Sequence, residues 1–362
     1  MGQTLSEPIV DKNTHQGKNK NLLYGLSAMQ GWRLTMEDAH CAELDVDGTT
    51  ASFFGVYDGH GGSTVAQYTG QTLHHRVIES AHFKEKNYAK ALVDAYLKLD
   101  VELLQGNVEK WILVSYGVLI EGCLDQNFAY DPSGCTAVTA LVTPDQKSIF
   151  VANAGDSRSV ISTSGQSKAL SYDHKPVDPK ENQRIVNAGG FVEFGRVNGN
   201  LALSRAIGDF EFKQNSNLPP EQQAVTCDPD VIEHTITDQD EFFVLACDGI
   251  WDCMTNQQVV NYIRGHLAEK TKLEDICEQM MDHCLAPDSD GGGVGCDNMS
   301  VMIIAILNGK TEQEWYDWMA SRTAAPKKDA LGNDVVDEPT KTAKTAATTE
   351  DTTKNNDAAA KP

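Results

Sequence analysis

The chain has 362 residues, 52 of them acidic and 30 basic, and its formal net charge is -22 at pH 7. This acidity argues against nucleic acid and anionic membrane surfaces as non-specific partners, and it is compatible with a protein that gathers divalent cations. No apolar stretch reaches the roughly 18 residues of a membrane span. Nine scattered cysteines without Cys-x-x-Cys spacing are typical of a reducing compartment, so we expect a cytoplasmic protein, with a nuclear location also open.

The first forty residues hold a lipidation pattern and a carboxylate pair. The opening hexapeptide Met-Gly-Gln-Thr-Leu-Ser matches the pattern for myristoylation of Gly2, which would allow a membrane contact, although so short a pattern often arises by chance. The polar residues that follow predict a flexible N-terminus over residues 1–20. Residues 22–29 alternate as a strand does. Glu37 and Asp38 come soon after, and their simplest interpretation is a surface charge cluster.

A glycine-rich turn at residues 55–62 carries Asp58 and His60 at the end of the apolar run 51–57. An apolar run that stops at glycine predicts a buried strand entering a tight turn. Glycines lack side chains, so the backbone can bend sharply and approach a ligand closely. The turn could hold an oxygen ligand for a hard cation beside a proton donor, or it could be a simple polar hairpin.

Two helices are predicted next, the first from Ser63 to about Phe83. The second places five apolar residues on one face: Tyr88, Leu92, Tyr96, Leu99 and Leu103. Residues 106–131 fit nothing around them and contain a strand-like apolar run. They are either a binding element unique to this protein or an insertion without a role, such as translated intron sequence.

The remaining elements follow from composition and periodicity. We predict strands over 133–143, 148–156, 157–162, 231–236, 241–247 and 299–307, and helices over 181–188, 202–209, 259–269, 273–285 and 312–322. The strand 157–162 should pair with the one before it as a hairpin, and 191–200 should be an irregular loop containing Arg196. Residues 323–362 hold almost no large apolar side chains, which predicts a disordered tail.

Carboxylates recur along the chain, three of them just after predicted apolar strands, and need a common explanation. The positions are Glu37, Asp38, Asp58, Asp156, Asp248, Asp252 and Asp297. Clustered carboxylates repel one another unless cations neutralise them, and oxygen ligands suit Mg²⁺ or Mn²⁺ rather than Zn²⁺. Two such ions can generate a metal-bound hydroxide and clamp a phosphoryl group, whose oxygens the fork of Arg33 would fit.

Together these segments resemble the metal-dependent protein phosphatases of the type 2C (PPM) family. The matching motifs occur in the family's order: Arg33-Leu-Thr-Met-Glu-Asp38, Val56-Tyr-Asp-Gly-His-Gly-Gly62, Ser133-Gly-Cys-Thr-Ala137, Asn153-Ala-Gly-Asp-Ser-Arg158, Leu203-Ser-Arg-Ala-Ile-Gly-Asp209, Leu245-Ala-Cys-Asp-Gly-Ile-Trp-Asp252 and Gly295-Cys-Asp-Asn298. Each motif alone is weak, but the ordered set is specific. The end of the domain is similar to fungal members in particular.

The resemblance implies an α+β fold, a central sandwich of two antiparallel sheets with helices on both outer faces. The catalytic domain would span 21–310, followed by a helix at 311–322. The implied activity is hydrolysis of phosphoserine and phosphothreonine in phosphoprotein substrates, by a monomer, through direct attack of a hydroxide bound between two divalent metals. A catalytically silent scaffold that binds phosphoproteins and a hydrolase of small phosphoesters remain as alternatives.

The resemblance also assigns roles to single residues. Asp58 would bridge both ions, Asp248 and Asp297 would complete the ligands of the first, and Glu37 with the backbone carbonyl of Gly59 would serve the second.

The other roles concern substrate and solvent. Asp38 would hold metal-bound waters, Arg33 would bind the substrate phosphate, and His60 would be the general acid. Arg196 would belong to a mobile flap. A weaker third metal site would be formed by Asp156, Asp252 and Asp248.

Overall fold

The computed structural model describes residues 4–104, 131–289 and 293–323. Three predictions lie outside these ranges: the modification of Gly2, the tail beyond residue 323, and all but the last residue of the atypical segment 106–131. Within the described ranges, no helix combines the length and the apolarity needed to cross a bilayer.

Strands outnumber helices among the elements of the described residues. The strands are β1 (Thr4–Lys18), β2 (Leu22–Arg33), β3 (Ala39–Glu43), β4 (Ser52–Tyr57), β5 (Gly59–His60), β6 (Gly134–Cys135), β7 (Ala137–Val142), β8 (Ser148–Ala154), β9 (Arg158–Thr163), β10 (Gln166–Ala169), β11 (Val192–Glu193), β12 (Arg196–Val197), β13 (Ile207–Gly208), β14 (Asp230–Thr235), β15 (Asp240–Ala246) and β16 (Met299–Ile306). The helices are α1 (Thr64–Glu79), α2 (Ala81–Lys84), α3 (Tyr88–Leu104), α4 (Pro179–Asn187), α5 (Asp248–Trp251), α6 (Asn256–Ala268), α7 (Leu273–Cys284) and α8 (Glu312–Thr323).

Two antiparallel sheets face each other across the centre of the domain. Their strand orders are β1-β2-β16-β15-β9-β10 and β14-β8-β7-β4-β3. The core between them includes Phe54 and Phe243, whose rings meet edge to face at 5.9 Å, together with Leu26, Val151 and Ile304. The predicted sandwich of two antiparallel sheets is therefore confirmed.

Helices cover both outer faces of the sandwich. The apolar face predicted for α3 packs, with α1, into the outer core of the five-stranded sheet. Helices α6, α7 and α8 cover the six-stranded sheet, where Trp315 is completely buried. Central strands such as β15 and β16 are buried along their whole length, because they lie between the other sheet and a helix layer.

The prediction of a flexible N-terminus is wrong for residues 4–18. They form β1, which pairs with β2 at the edge of the six-stranded sheet. Polar side chains fix it there: Thr14 donates to Glu278 at 2.6 Å, and Lys12 pairs with Asp282 at 2.7 Å. An edge strand with one face toward solvent can be polar, so composition alone did not reveal it.

Two predictions between residues 150 and 210 are also wrong. Strand β9 does not form a hairpin with β8, because the chain crosses at Gly155 to the other sheet, where β9 pairs with β15 and β10. Gly155 has φ +118, and a Cβ there would lie 2.7 Å from that of Thr136. The predicted helix at 202–209 is instead extended, since Ile207 and Gly208 pair with β6. The loop at 191–200 contains the short ribbon β11-β12.

The sheet topology brings the chemically important strand ends to one edge. Strands β4, β8 and β15 each end just before an aspartate. Strand β16 begins two residues after Asp297, beside the end of β2 that carries Arg33. The pairing of the strands within the two sheets thus brings these aspartates and Arg33 to the same edge of the sandwich.

We expect Gly25→Ala to destabilise the fold, because a Cβ at this position in β2 would lie 2.5 Å from the Leu273 carbonyl carbon of α7. Forced overpacking typically costs about 1–3 kcal/mol. The matched control is Gly265→Ala at an exposed position of α6, where the added methyl group meets nothing within 4 Å. That change should stabilise by about 0.5–1 kcal/mol through helix propensity. Urea unfolding of both variants checks the prediction, which fails if the two changes have the same sign.

Candidate metal centre and active site

Three aspartates from three strand ends form the centre of the site. Oxygen atoms of Asp58, Asp156 and Asp248 all lie within 4.8 Å of one another. Burial, followed by the charges of neighbouring carboxylates, raises the pKa of Asp58 and of Asp248 well above the usual range. The fold therefore concentrates negative charge where water screens it poorly.

Asp38 extends this cluster into the sandwich. It is buried, with one oxygen accepting from the Ser300 hydroxyl at 2.7 Å, while Oδ1 has no partner. Burial raises its pKa to about 6, although the hydrogen bond from Ser300 opposes this. Asp38 and Asp58 also lie within 4.8 Å of the Cys247 sulfur. An unpartnered buried oxygen is costly unless a proton, water or cation satisfies it.

Gly59, in the glycine-rich turn at residues 55–62, allows this turn to lie close against the backbone of Glu37. A Cβ at Gly59 would collide with the backbone carbonyl group of Glu37, whose carbon would lie at 2.9 Å. Glu37 is held by a hydrogen bond from its own backbone N–H to Asn298 Oδ1 at 2.9 Å. The structure thus brings the two predicted contributors to the second ion, Glu37 and Gly59, into contact through their backbones.

Arg33 and Asp297 form an ion pair at the rim of the site. The distance between Arg33 Nη2 and Asp297 Oδ2 is 2.5 Å, and both side chains are partly exposed. This contact occupies one N–H of the guanidinium and leaves others for a phosphate. The structure therefore places Arg33 beside a predicted metal ligand.

His60 is held by a residue to which the sequence motifs assign no role, Asp209. The distance from His60 Nε2 to Asp209 Oδ2 is 2.7 Å. Burial lowers the pKa of His60, but the charge and hydrogen bond of Asp209, with more distant carboxylates, outweigh it and raise the pKa. His60 thus carries its proton more readily than a free histidine, as a general acid should.

The predicted third-site residues are only partly assembled. Asp156 belongs to the central cluster, where Lys175 Nζ lies 2.5 Å from its Oδ2. Asp252 is exposed, one turn beyond Asp248, and its backbone N–H donates to the carbonyl of Asp248 at 2.8 Å. Arg196 is exposed on β12 and donates to the backbone oxygen of Asn200.

Three polar residues to which the sequence motifs assigned no role support the site. Asp209 has a left-handed backbone (φ 52) that turns it toward His60, and Lys175 lies in a loop after β10. The third, Thr136, exchanges hydrogen bonds with both backbone groups of Asp58. Asp209 ends a matched motif and so could have been suspected. Lys175 could not, because its contact joins segments of different sheets.

The donor set fits hard divalent cations. It consists almost entirely of carboxylate and carbonyl oxygens, the ligands preferred by Mg²⁺ and Mn²⁺. The raised pKa values and the unpartnered Asp38 oxygen are the features that a bound cation would relieve.

Comparison with known proteins agrees with this geometry. The sequence profile described as Protein phosphatase 2C matches residues 22–291. The chain is 51% identical to "Protein phosphatase 2C homolog 2" of Hypocrea jecorina, over 90% of this chain and 71% of that protein. It is 48% identical to the protein of the same name from Schizosaccharomyces pombe, over 89% of this chain and 83% of that one. A phosphatase from Toxoplasma gondii has a similar structure, with a TM-score of 0.66 and 26% identity over 83% of this chain and 97% of that chain.

We expect Asp38→Asn to stabilise the metal-free protein at neutral pH. The pKa of Asp38 is about 6 in the folded protein, against an ordinary value of 3.8. The folded state is therefore favoured while Asp38 is protonated: this stability is fully present below pH ~4 and is lost as the pH rises through about 6. The loss amounts to about 3 kcal/mol at pH 7. In EDTA, the variant's advantage in unfolding free energy should therefore grow between pH 4 and 7.

Asp145→Asn is the matched control for this measurement. Asp145 is exposed and accepts from Thr143, and that hydrogen bond lowers its pKa. Ionised Asp145 therefore stabilises the folded state at neutral pH, and this stabilisation is lost as the pH falls. Asp145→Asn should be less stable than the unmodified chain at pH 7, and the difference should shrink at acidic pH. Parallel pH profiles for Asp38→Asn and the unmodified chain would contradict the assignment.

Proposed function

The chain belongs to the protein phosphatase 2C family, and we propose that it hydrolyses phosphoserine and phosphothreonine in phosphoproteins with two divalent metal ions at the carboxylate cluster. Family membership makes it a protein serine/threonine phosphatase, similar to fungal members. The observation that carries the metal proposal is the convergence of Asp58, Asp156 and Asp248 within 4.8 Å, since two of these, Asp58 and Asp248, would be ligands of the pair. Carboxylates this close together repel one another, and a bound cation would neutralise that repulsion.

The ligands of the two ions would come from five positions. Asp58 would be shared, with Asp248 and Asp297 on one side and Glu37 and the Gly59 carbonyl on the other. Mg²⁺ or Mn²⁺ suits this set. When bound, the ions supply an activated water nucleophile and neutralise charge on the phosphoryl oxygens.

The chain's own side chains would then orient the substrate and move a proton. Arg33 would bind phosphate oxygens through the N–H groups that Asp297 does not occupy. Because Asp209 holds His60 at Nε2, the proton available to a leaving alkoxide is the one on Nδ1. Asp209 acts through His60 and is therefore a positioning residue.

A third ion would bind more weakly than the first two. It would have to displace the Lys175 ammonium from Asp156 and recruit the exposed Asp252. Competition between Lys175 and a cation explains the expected difference in affinity without further assumptions.

We expect Asp58→Asn to reduce turnover by at least about 100-fold, since even supporting residues at metal sites often contribute 10–100-fold. Activity on phosphoserine, phosphothreonine and phosphotyrosine peptides is measured with Mg²⁺, Mn²⁺ or EDTA, and metal binding by calorimetry. The matched control is Asp238→Asn, an exposed aspartate before the opposite end of β15. Chelator-insensitive turnover would overturn the proposal, and phosphopeptide binding without turnover by the unmodified chain would favour a scaffold.

We expect His60→Gln to slow a phosphoserine peptide by about 10²–10⁴-fold. An aryl phosphate with a good leaving group needs little protonation, so its loss should be much smaller. Asp209→Asn should also slow the peptide more than the aryl phosphate, with smaller losses than His60→Gln causes. It should lower the pKa of His60, which NMR titration measures. Equal losses on both substrates would remove His60 from the acid role.

A further inference from the structure

A second group of metal-binding side chains lies outside the carboxylate cluster. A cavity of about 690 Å³ opens beside the edge strand β3, lined by residues of β1, β2, β3 and α1. Among them are four histidines, one cysteine and one glutamate that the proposed phosphatase chemistry does not use: His15, His40, Cys41, Glu43, His74 and His75.

Three of these residues bring their donor atoms together. The sulfur of Cys41, a carboxylate oxygen of Glu43 and a ring nitrogen of His74 all lie within 4.8 Å of one another. The fold explains the meeting. Cys41 and Glu43 are two residues apart on β3 and so share a face, and α1, which carries His74, packs on that strand. No such spacing is visible along the sequence.

The geometry suits a tetrahedral metal ion. Cys41 Sγ and His74 Nδ1 are 3.5 Å apart. Sulfur and nitrogen ligands at their usual distances from Zn²⁺ are themselves about 3.5 Å apart in a tetrahedron. Both side chains are buried, at 6% exposure, while Glu43 faces the solvent. Burial lowers the pKa of His74 to about 4, which keeps the ring in the neutral form that binds metals.

We propose that Cys41, Glu43 and His74 bind one zinc ion, with water from the cavity as the fourth ligand. Sulfur and nitrogen donors favour Zn²⁺ over the Mg²⁺ or Mn²⁺ expected at the carboxylate cluster. The ion would join β3 to α1. These elements directly follow Glu37-Asp38 and Asp58-Gly-His60, so the zinc would fix the edge of the sandwich on which the active site is built.

Cobalt tests this proposal, because Co²⁺ replaces Zn²⁺ and a thiolate ligand gives it an intense charge-transfer band. The full chain, prepared metal-free and under reducing conditions, is titrated with Co²⁺ in excess Mg²⁺, which fills the oxygen sites. We expect one Co²⁺ per chain with a thiolate band that Zn²⁺ abolishes. Binding should also raise the melting temperature.

Variants assign the band to its ligands. Cys41→Ser should abolish it, and His74→Asn and Glu43→Gln should each weaken Co²⁺ binding by more than about 10-fold. Because Glu43 is exposed, Glu43→Gln should fold even if the buried changes do not. Cys253→Ser, a change at a partly exposed cysteine, is the matched control and should keep the band.

Cys247 is the alternative source of a thiolate, since it lies near Asp38 and Asp58. A band that survives Cys41→Ser but disappears in Cys247→Ser would overturn the proposal. So would the absence of any thiolate band, or Co²⁺ affinity unchanged in Glu43→Gln. A band retained in Cys247→Ser supports the site at Cys41.

Discussion

The burial of like charges at one edge of the sandwich is the constraint on which the rest of the structure depends. Asp58, Asp156 and Asp248 would separate if the strand ends were free to move, since their oxygens repel across a few ångströms with little water between them. The registers of β4, β8 and β15 prevent this. Each strand is fixed by apolar residues in the core between the sheets or beneath a helix layer, so hydrophobic packing opposes the electrostatic repulsion. The strain at the carboxylate cluster is therefore electrostatic.

The chain relieves part of that repulsion with its own cations. Lys175 pairs with the buried Asp156 of the central cluster, and Arg33 pairs with Asp297 at the rim of the site. Asp38 and Asp58 have no comparable cation in the described part of the chain, and burial raises the pKa of both. Metal ions should therefore be held most strongly beside Asp38 and Asp58, and should compete with Lys175 at Asp156. The order of metal affinities follows from where side-chain cations can and cannot reach.

Local signals predicted the parts of the fold that are set locally. The strand before Asp58 and the amphipathic face of α3 were both visible as patterns of neighbouring residues, and the structure contains them. Asp58, Asp156 and Asp248 were also predicted, because each follows an apolar run. Strand partners are a long-range property. Nothing near Gly155 shows that the chain changes sheets, and nothing in β1 shows that a polar segment will find an edge. The Asp209 contact with His60 spans 149 residues, beyond any periodicity.

Donor chemistry, more than proximity, distinguishes the two clusters at this end of the molecule. Cys247 is close to Asp38 and Asp58, but its sulfur already accepts the Ser300 N–H at 3.1 Å. Burial raises the pKa of both Cys247 and Cys41, so either thiol needs a cation to become a thiolate. Ionising Cys247 beside these two carboxylates would add a third negative charge and increase the repulsion within the site. Cys41 instead faces the neutral ring of His74, where one metal ion could neutralise both the thiolate and Glu43. Under the two proposals, hard cations would bind at the strand ends and a softer ion at the sheet edge, because each cluster offers the ligands that its own ion binds best.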